Sequence, residues 1–438
     1  MRLLYPCLAL LCLLWLSACP GEPAGGRRAD GQPVRAEHEQ ARALDADSQR
    51  ATDFLLQSLR EPAMEDHATL EDCWSVISRL PDSKAFAAKI ASQVAESGTL
   101  PGVELQSAWL ATDPAAASDY VLQKCQAGNA AVLQSLIRFP EQGKPLLLKL
   151  DLTEQSADFQ DALLLLIRNW REPGQELLPV FEQLAASPEP DISLRAIGYL
   201  IRLDSASEEQ LATLREAIRS EKEHFAAAVE GGKISRDPEL ATAFIPRVQD
   251  VKMGEPDPEE AWKVQPYYSA YALAFIPGTD ASVIRLNLLN ASNTDLRWQA
   301  RFGELLQGHP ASFQQAMLEE GVLSPGLLRC LTPPEAVHPD LLPWYVKAIE
   351  QSEGSQRFQL VSQLSRYNEH ASEPELRELV LGLLDDDSAL VRGQAWLLAA
   401  QFAYPGRRLE AAAVLSSDEE MAPVKAAAAC YLLSVPGA

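Results

Sequence analysis

The side chains that most readily do chemistry are few in this 438-residue sequence, and they are spaced poorly for it. The six histidines stand at 38, 67, 224, 309, 338 and 370, never closer than 29 residues, so no local His-x-x-x-His pair can hold zinc. There is no Gly-x-Ser-x-Gly turn to raise a serine nucleophile, no Gly-x-Gly-x-x-Gly turn and no phosphate-binding loop. Neither a metal nor a cofactor is expected. A site assembled from distant segments stays open, because a fold can bring any residues together. Beyond the first twenty residues the cysteines at 73, 125, 330 and 430 are at least 52 apart, which excludes a Cys-x-x-Cys redox or zinc motif. Cys73, Cys330 and Cys430 sit among apolar residues and read as buried thiols. Asp385, Asp386 and Asp387 lack the spaced ligands of a calcium loop and read instead as a helix cap neutralised by Arg392.

The stretch best suited to hold a ligand is an acidic cluster, Glu255, Asp257, Glu259 and Glu260, followed by Trp262, Tyr267, Tyr268, Tyr271 and Phe275. Carboxylates beside aromatic faces suit a cationic peptide or a stacked sugar. Tyr268, Tyr271 and Phe275 fall at helical spacing and read as core, which leaves Trp262 and Tyr267 as the accessible rings. The whole chain carries 38 Lys plus Arg against 61 Asp plus Glu, a net charge of −23, so a phosphate backbone would be repelled and nucleic acid is not an expected partner. A basic protein partner is.

One position carries a specific covalent chemistry. Arg2 is followed by an uncharged run from Leu3 to Leu16, then by Ser17, Ala18 and Cys19. This is the layout of a secretory signal, and its 14 apolar residues are short of the about 20 that cross a bilayer as a helix. Leu16-Ser17-Ala18-Cys19 resembles the bacterial lipobox. The resemblance implies cleavage between Ala18 and Cys19, lipidation of Cys19 with a diacylglycerol thioether and an acyl chain such as palmitate, and placement in the cell envelope. Pro20 after the cysteine implies the outer membrane. Residues 19–49 then read as the lipidated cysteine and a flexible tether, since 20–47 are rich in Pro, Gly and charge without an apolar period.

The elements that must position any site are helices. From about residue 50, apolar residues recur three and four apart in short segments punctuated by Pro, Gly, Asp and Ser; Leu376, Leu379, Val380, Leu383 and Leu384 form one such stripe. No sustained two-residue alternation points to a sheet. Asp113-Pro114, Ser187-Pro188 and Ser324-Pro325 mark helix starts, and Ser207 with Gln210 and Ser372 with Glu375 have capping-box spacing. Ser207–Val229 reads as one long helix stopped by Gly231-Gly232, and residues 231–260, with four prolines, read as an irregular acidic insertion.

The chain also repeats. Laying Val391-Arg392 on Val424-Lys425, an offset of 33 residues, matches Val391, Ala395, Leu398 and Phe402 with Val424, Ala428, Tyr431 and Val435, one helical face in each copy. Fainter copies begin at Asp191 and Asp295. An acid in the turn, an apolar residue followed by Arg or Lys, and a small residue three later resembles the second helix of a HEAT repeat. The resemblance implies an all-α solenoid of stacked helix pairs, with N-terminal repeats over 50–230, C-terminal HEAT-like repeats over 261–438, the chain ends as caps, and Arg392 and Lys425 paired with turn acids along the stack. It also implies an interaction scaffold without catalytic activity. A hydrolase with a dispersed site and a glycan-binding or soluble-ligand-binding lipoprotein are the readings from other classes.

Overall fold

The computed structural model describes residues 33–59, 67–80, 83–97, 102–170, 174–220, 224–245, 248, 265–291, 294–321 and 339–435. These are helices and turns, with no strand among the described residues. Packing divides the chain into Met1–Ala46 and a compact unit, Asp47–Ala438. The first unit is described only where the leading helix, Pro33–Ser58, begins. A helix here corrects the expected tether over 33–49. The segment lacks an apolar period, yet its Ala, Glu, Gln and Arg residues are strong helix formers and Pro33 stands in the first turn, where its missing N–H costs nothing.

The second unit is organised by a row of helices. In chain order these are α1 (His67–Ile77), α2 (Val103–Thr112), α3 (Ala157–Asn169), α4 (Pro190–Arg202), α5 (Phe225–Ser235), α6 (Gln265–Phe275), α7 (Thr294–Leu306), α8 (Gly354–Gln363), α9 (Ala389–Gln401) and α10 (Ala422–Ser434). A 3-10 segment, Ala130–Arg138, stands between α2 and α3. From α1 to α7 each member packs on the next, α2 and α3 through the 3-10 segment; α8 packs on α9, α9 on α10 and α10 on α1, so α8, α9 and α10 lead directly into α1 and α2. The two chain ends therefore do not cap an open array. They meet at a seam, where the Cys73 thiol lies 3.5 Å from the Ala426 carbonyl and the Cys430 thiol 3.6 Å from that of Cys73.

The sequence explains which helices enter the row. In α10, Val424, Ala426 through Ala429, Cys430, Tyr431 and Leu432 are all buried, so apolar residues cover the whole circumference. Four consecutive alanines leave room for α9 on one side and α1 on the other. By contrast the neighbouring helix Arg408–Ser416 buries only Ala411 and keeps a polar outer face. The repeat register holds, since Val391, Ala395, Leu398 and Phe402 and their counterparts Val424, Ala428, Tyr431 and Val435 are all buried.

Elsewhere the sequence misreads the joints. Ser207 and Gln210 form the expected capping box, Gln210 N–H donating to Ser207 Oγ at 3.1 Å and Ser207 N–H to Gln210 Oε1 at 2.8 Å. The helix they open ends at Ser220, however, and α5 begins at Phe225 and runs through both glycines to Ser235. A Cβ on Gly198 would lie 2.3 Å from the Gly231 carbonyl oxygen, and one on Gly231 would lie 2.4 Å from that of Leu194. These glycines set the closeness of α4 and α5; they do not stop a helix. The expected insertion thus loses residues 231–235 to α5, and Pro238–Phe244 forms a 3-10 helix whose Leu240, Ala241, Ala243 and Phe244 are buried. At the other joint Ser372 gives no side-chain cap; Glu373 is the cap residue and Pro374 the first helical position.

Candidate functional site

Most of the sequence-predicted site lies outside the described residues: Ala18, Cys19, Glu255, Asp257, Glu259, Glu260 and Trp262. Tyr267 belongs to α6, although its side chain is not among those described. Of the rings that follow, Phe275 is buried and Tyr271 half-buried against it, their centroids 5.1 Å apart, while Tyr268 is the exposed one. Cys73, Cys125 and Cys430 are free, buried thiols, and burial pushes the Cys125 thiol up to about 12.

The structure builds a different site at the seam. A cavity of about 380 Å³ opens between helices from both ends of the chain. α1 lines it with Thr69, Asp72 and Val76, whose spacing of three and four places them on one helical face, and Arg79 follows from the turn after it. α9 contributes Gln394, Leu397 and Gln401 by the same rule. Arg138 and Asn169 enter from the last residues of the 3-10 segment and of α3, and Arg366 from the turn after α8. The floor is buried at Thr69, Val76, Gln394 and Leu397, and Arg79, Arg138 and Asn169 are exposed.

Local hydrogen bonds hold this wall. Arg138 Nε lies 2.5 Å from Asp72 Oδ1, tying the 3-10 segment to α1. Gln401 Nε2 donates to the Ser365 carbonyl at 2.9 Å, and Asn169 Nδ2 to the Leu165 carbonyl at 2.8 Å. The lining holds three guanidinium groups, of Arg79, Arg138 and Arg366, against the single carboxylate of Asp72. An acidic protein thus carries a locally basic hollow.

A second titratable feature adjoins it. Glu71, next to Asp72, is buried, and burial pushes its carboxyl up to about 7; Arg138 pulls it down, and Glu104 and Asp72 push it further up. A carboxyl that titrates near neutrality can act as an acid or base. Glu71 is not, however, among the residues that line the cavity, so the shifted carboxyl and the hollow are neighbours and not one site. Among the described residues no group of three or more His, Cys, Asp or Glu is placed to hold a metal, and no helix is long and apolar enough to cross a membrane.

Comparison with protein-family models, with curated proteins and with solved structures returns no significant similarity. Sequence reasoning passed over the cavity because its residues come from positions 69 to 401 and each looks like an ordinary solvent-facing side chain. One signal was present: Gln394 is a polar residue inside Val391–Ala400, a helix segment otherwise almost wholly buried.

Proposed function

We propose that this chain is a lipid-anchored helical-repeat scaffold of the bacterial cell envelope that binds another protein and performs no reaction of its own. Anchoring is through Cys19 after cleavage behind Ala18, with the outer membrane as its location. The observation that supports the scaffold reading is the row of packed helices from α8 through the seam to α7, a framework on which a partner can dock. A HEAT-like arrangement is supported by ion pairs and hydrogen bonds that recur at about the repeat length. Arg195 reaches Asp161, 34 residues away, His224 reaches Asp191, 33 away, and Arg392 reaches Glu420, 28 away. The turn acid Asp386 is taken by Arg357, at 2.5 Å, while Arg392 also donates to the Asp386 carbonyl at 2.7 Å.

The partner is a basic protein, steered by the chain's charge of −23 and met by Glu255, Asp257, Glu259 and Glu260, with Trp262 and Tyr267 as apolar anchors. A soluble form beginning at Pro20 should retain this partner from envelope extract at low salt and release it as the Debye length falls below about 10 Å. The same form with Trp262→Ala and Tyr267→Ala should retain much less. Failure of the unaltered form to retain any protein at low salt would sink the scaffold reading, and equal retention by both forms would remove the 255–267 segment from it. Anchoring is tested separately: Cys19→Ala must change the mature mass, since it removes both the lipid and the cleavage that depends on it, and an unchanged mass with unchanged membrane partitioning would refute the lipoprotein reading.

A second reading, a hydrolase with a site spread over several repeats, is favoured by one feature, the Glu71 carboxyl near neutrality beside Asp72. Its test is hydrolysis that disappears in Glu71→Gln.

A further inference from the structure

The seam cavity holds two polar groups that the fold leaves unused. Gln394 is 8% exposed, lines the cavity and makes no side-chain hydrogen bond among the described residues. Of the other amides of the wall, Gln401 and Asn169 donate to backbone carbonyls, and Gln363 donates to Ser362 Oγ at 3.4 Å while its Oε1 is buried without a partner. The Gln394 amide is not among the sealed, unpartnered polar atoms of the described residues, so it opens onto the hollow, where water or a ligand can meet it. The Arg79 guanidinium likewise has no ion pair or hydrogen bond among the described residues, whereas the Arg138 guanidinium is committed to Asp72 at 2.5 Å. One free guanidinium and one free amide, which can donate and accept together, therefore face the same hollow.

We infer that this cavity is a binding site for a ligand that carries a carboxylate beside an amide or hydroxyl group. Arg79 takes the carboxylate, in the two-pronged geometry that guanidinium and carboxylate share, and Gln394 takes the neighbouring polar group. A single negative charge fits the lining better than a phosphate dianion, since one guanidinium is uncommitted and Asp72 stands in the wall. The volume of about 380 Å³ lies at the lower end of small-ligand sites and admits a short peptide end or a small organic acid. Both sources offer the same chemistry. The site is independent of the proposed protein contact at 255–267, so either can fail without the other.

The test is calorimetric titration of the purified full chain with N-acetylglutamine, which has a carboxylate and an amide, and with its carboxamide, which lacks the charge. N-acetylglutamine should bind and the carboxamide should bind at least about tenfold more weakly. Arg79→Gln changes an exposed residue and should weaken the acid about tenfold or more while leaving the carboxamide unaffected. Gln394→Leu, close in shape, should weaken binding by a similar factor without lowering the melting temperature, because the amide opens onto the hollow and makes no hydrogen bond that the fold would lose. A hexapeptide with a free terminal carboxylate, compared with its amidated form, separates the sources. Tighter binding of the free-acid peptide than of N-acetylglutamine identifies a peptide end, and binding of the small acid alone identifies a free metabolite. No binding of any probe at about 10 mM, equal binding of acid and carboxamide, or affinity unchanged in both variants would each overturn the assignment.

Discussion

The row of helices is packed in two ways. Between α4 and α5 the backbones cross so closely at Gly198 and Gly231 that no side chain fits between them, and a hollow beside Leu164, Arg168, Arg195 and Glu230 holds only about 40 Å³. At the seam, where α9 and α10 meet α1, the contact is made by side chains. The thiols of Cys73 and Cys430 reach across it to backbone carbonyls at 3.5 and 3.6 Å, and the space beside α1 and α9 opens to about 380 Å³ with a polar lining. Contact through backbone leaves no room for a ligand; contact through side chains can be shaped around one. The site therefore lies where the units joined are remote in sequence.

The sharpest way to break this contrast is to disturb the close-packed stretch. Just past the α4–α5 crossing, Arg285 is 1% exposed and donates to Glu304 at 2.8 Å and to the Leu273 and Ile276 carbonyls at 2.9 and 2.8 Å. Arg285→Met should cost about 3–5 kcal/mol, because Glu304 is left buried without its cation and two carbonyls lose their donor. Chemical denaturation measures the loss; one under about 1 kcal/mol would mean that the ion pair is dispensable. Gly198→Ala and Gly231→Ala should each cost about 3 kcal/mol, because the new methyl meets a backbone oxygen that has nowhere to go.

At the seam the expected effects concern pH. Glu71 has its carboxyl raised from 4.5 to about 7 by burial, so the folded state prefers the protonated form. Its contribution to stability is complete below about pH 4.5 and is lost as pH rises through about 7, a fall of up to about 3 kcal/mol. Glu71→Gln should flatten stability across that window and leave the protein more stable than the parent at pH 8, as read from melting temperatures over the pH series. An unchanged slope would refute the assignment. The smallest effect sharpens the contrast most directly. A Cβ on Gly393 of α9 would meet Val424 at 3.6 Å or more, ordinary contact distance, so Gly393→Ala should stabilise by about 0.5–1 kcal/mol where the same change at Gly198 destabilises.

Much of the fold was legible because helix faces and caps are local. The register of Val391 with Val424 and the Ser207–Gln210 box follow from spacing along the chain, and the long reach of Arg392 to a turn acid is what the repeat resemblance implies. Gly231-Gly232 was misread because a glycine that ends a helix and one that admits a neighbouring helix look alike until the neighbour is present. The seam was hidden for a related reason. The alanines of α10 announce that something packs closely, but an apolar face does not say which helix it will meet, and its partner stands some 350 residues earlier. The cavity depended on the seam, and so Thr69, Asp72 and Arg79 looked like a solvated helix face.

The seam also sets an order of events during synthesis. The Cys73 thiol meets the Ala426 carbonyl across 353 residues of chain, so α1 exists long before the helix that covers it. At about 5–20 residues per second, the apolar side of α1 waits roughly 20 to 70 s for α10. A nascent chain that stops before α9 lacks the cavity, because Gln394, Leu397 and Gln401 line it. Like charges repel, so the excess of negative charge opposes self-association during that interval, which makes the acidity of the sequence a property that serves the unfinished chain as well as the finished one.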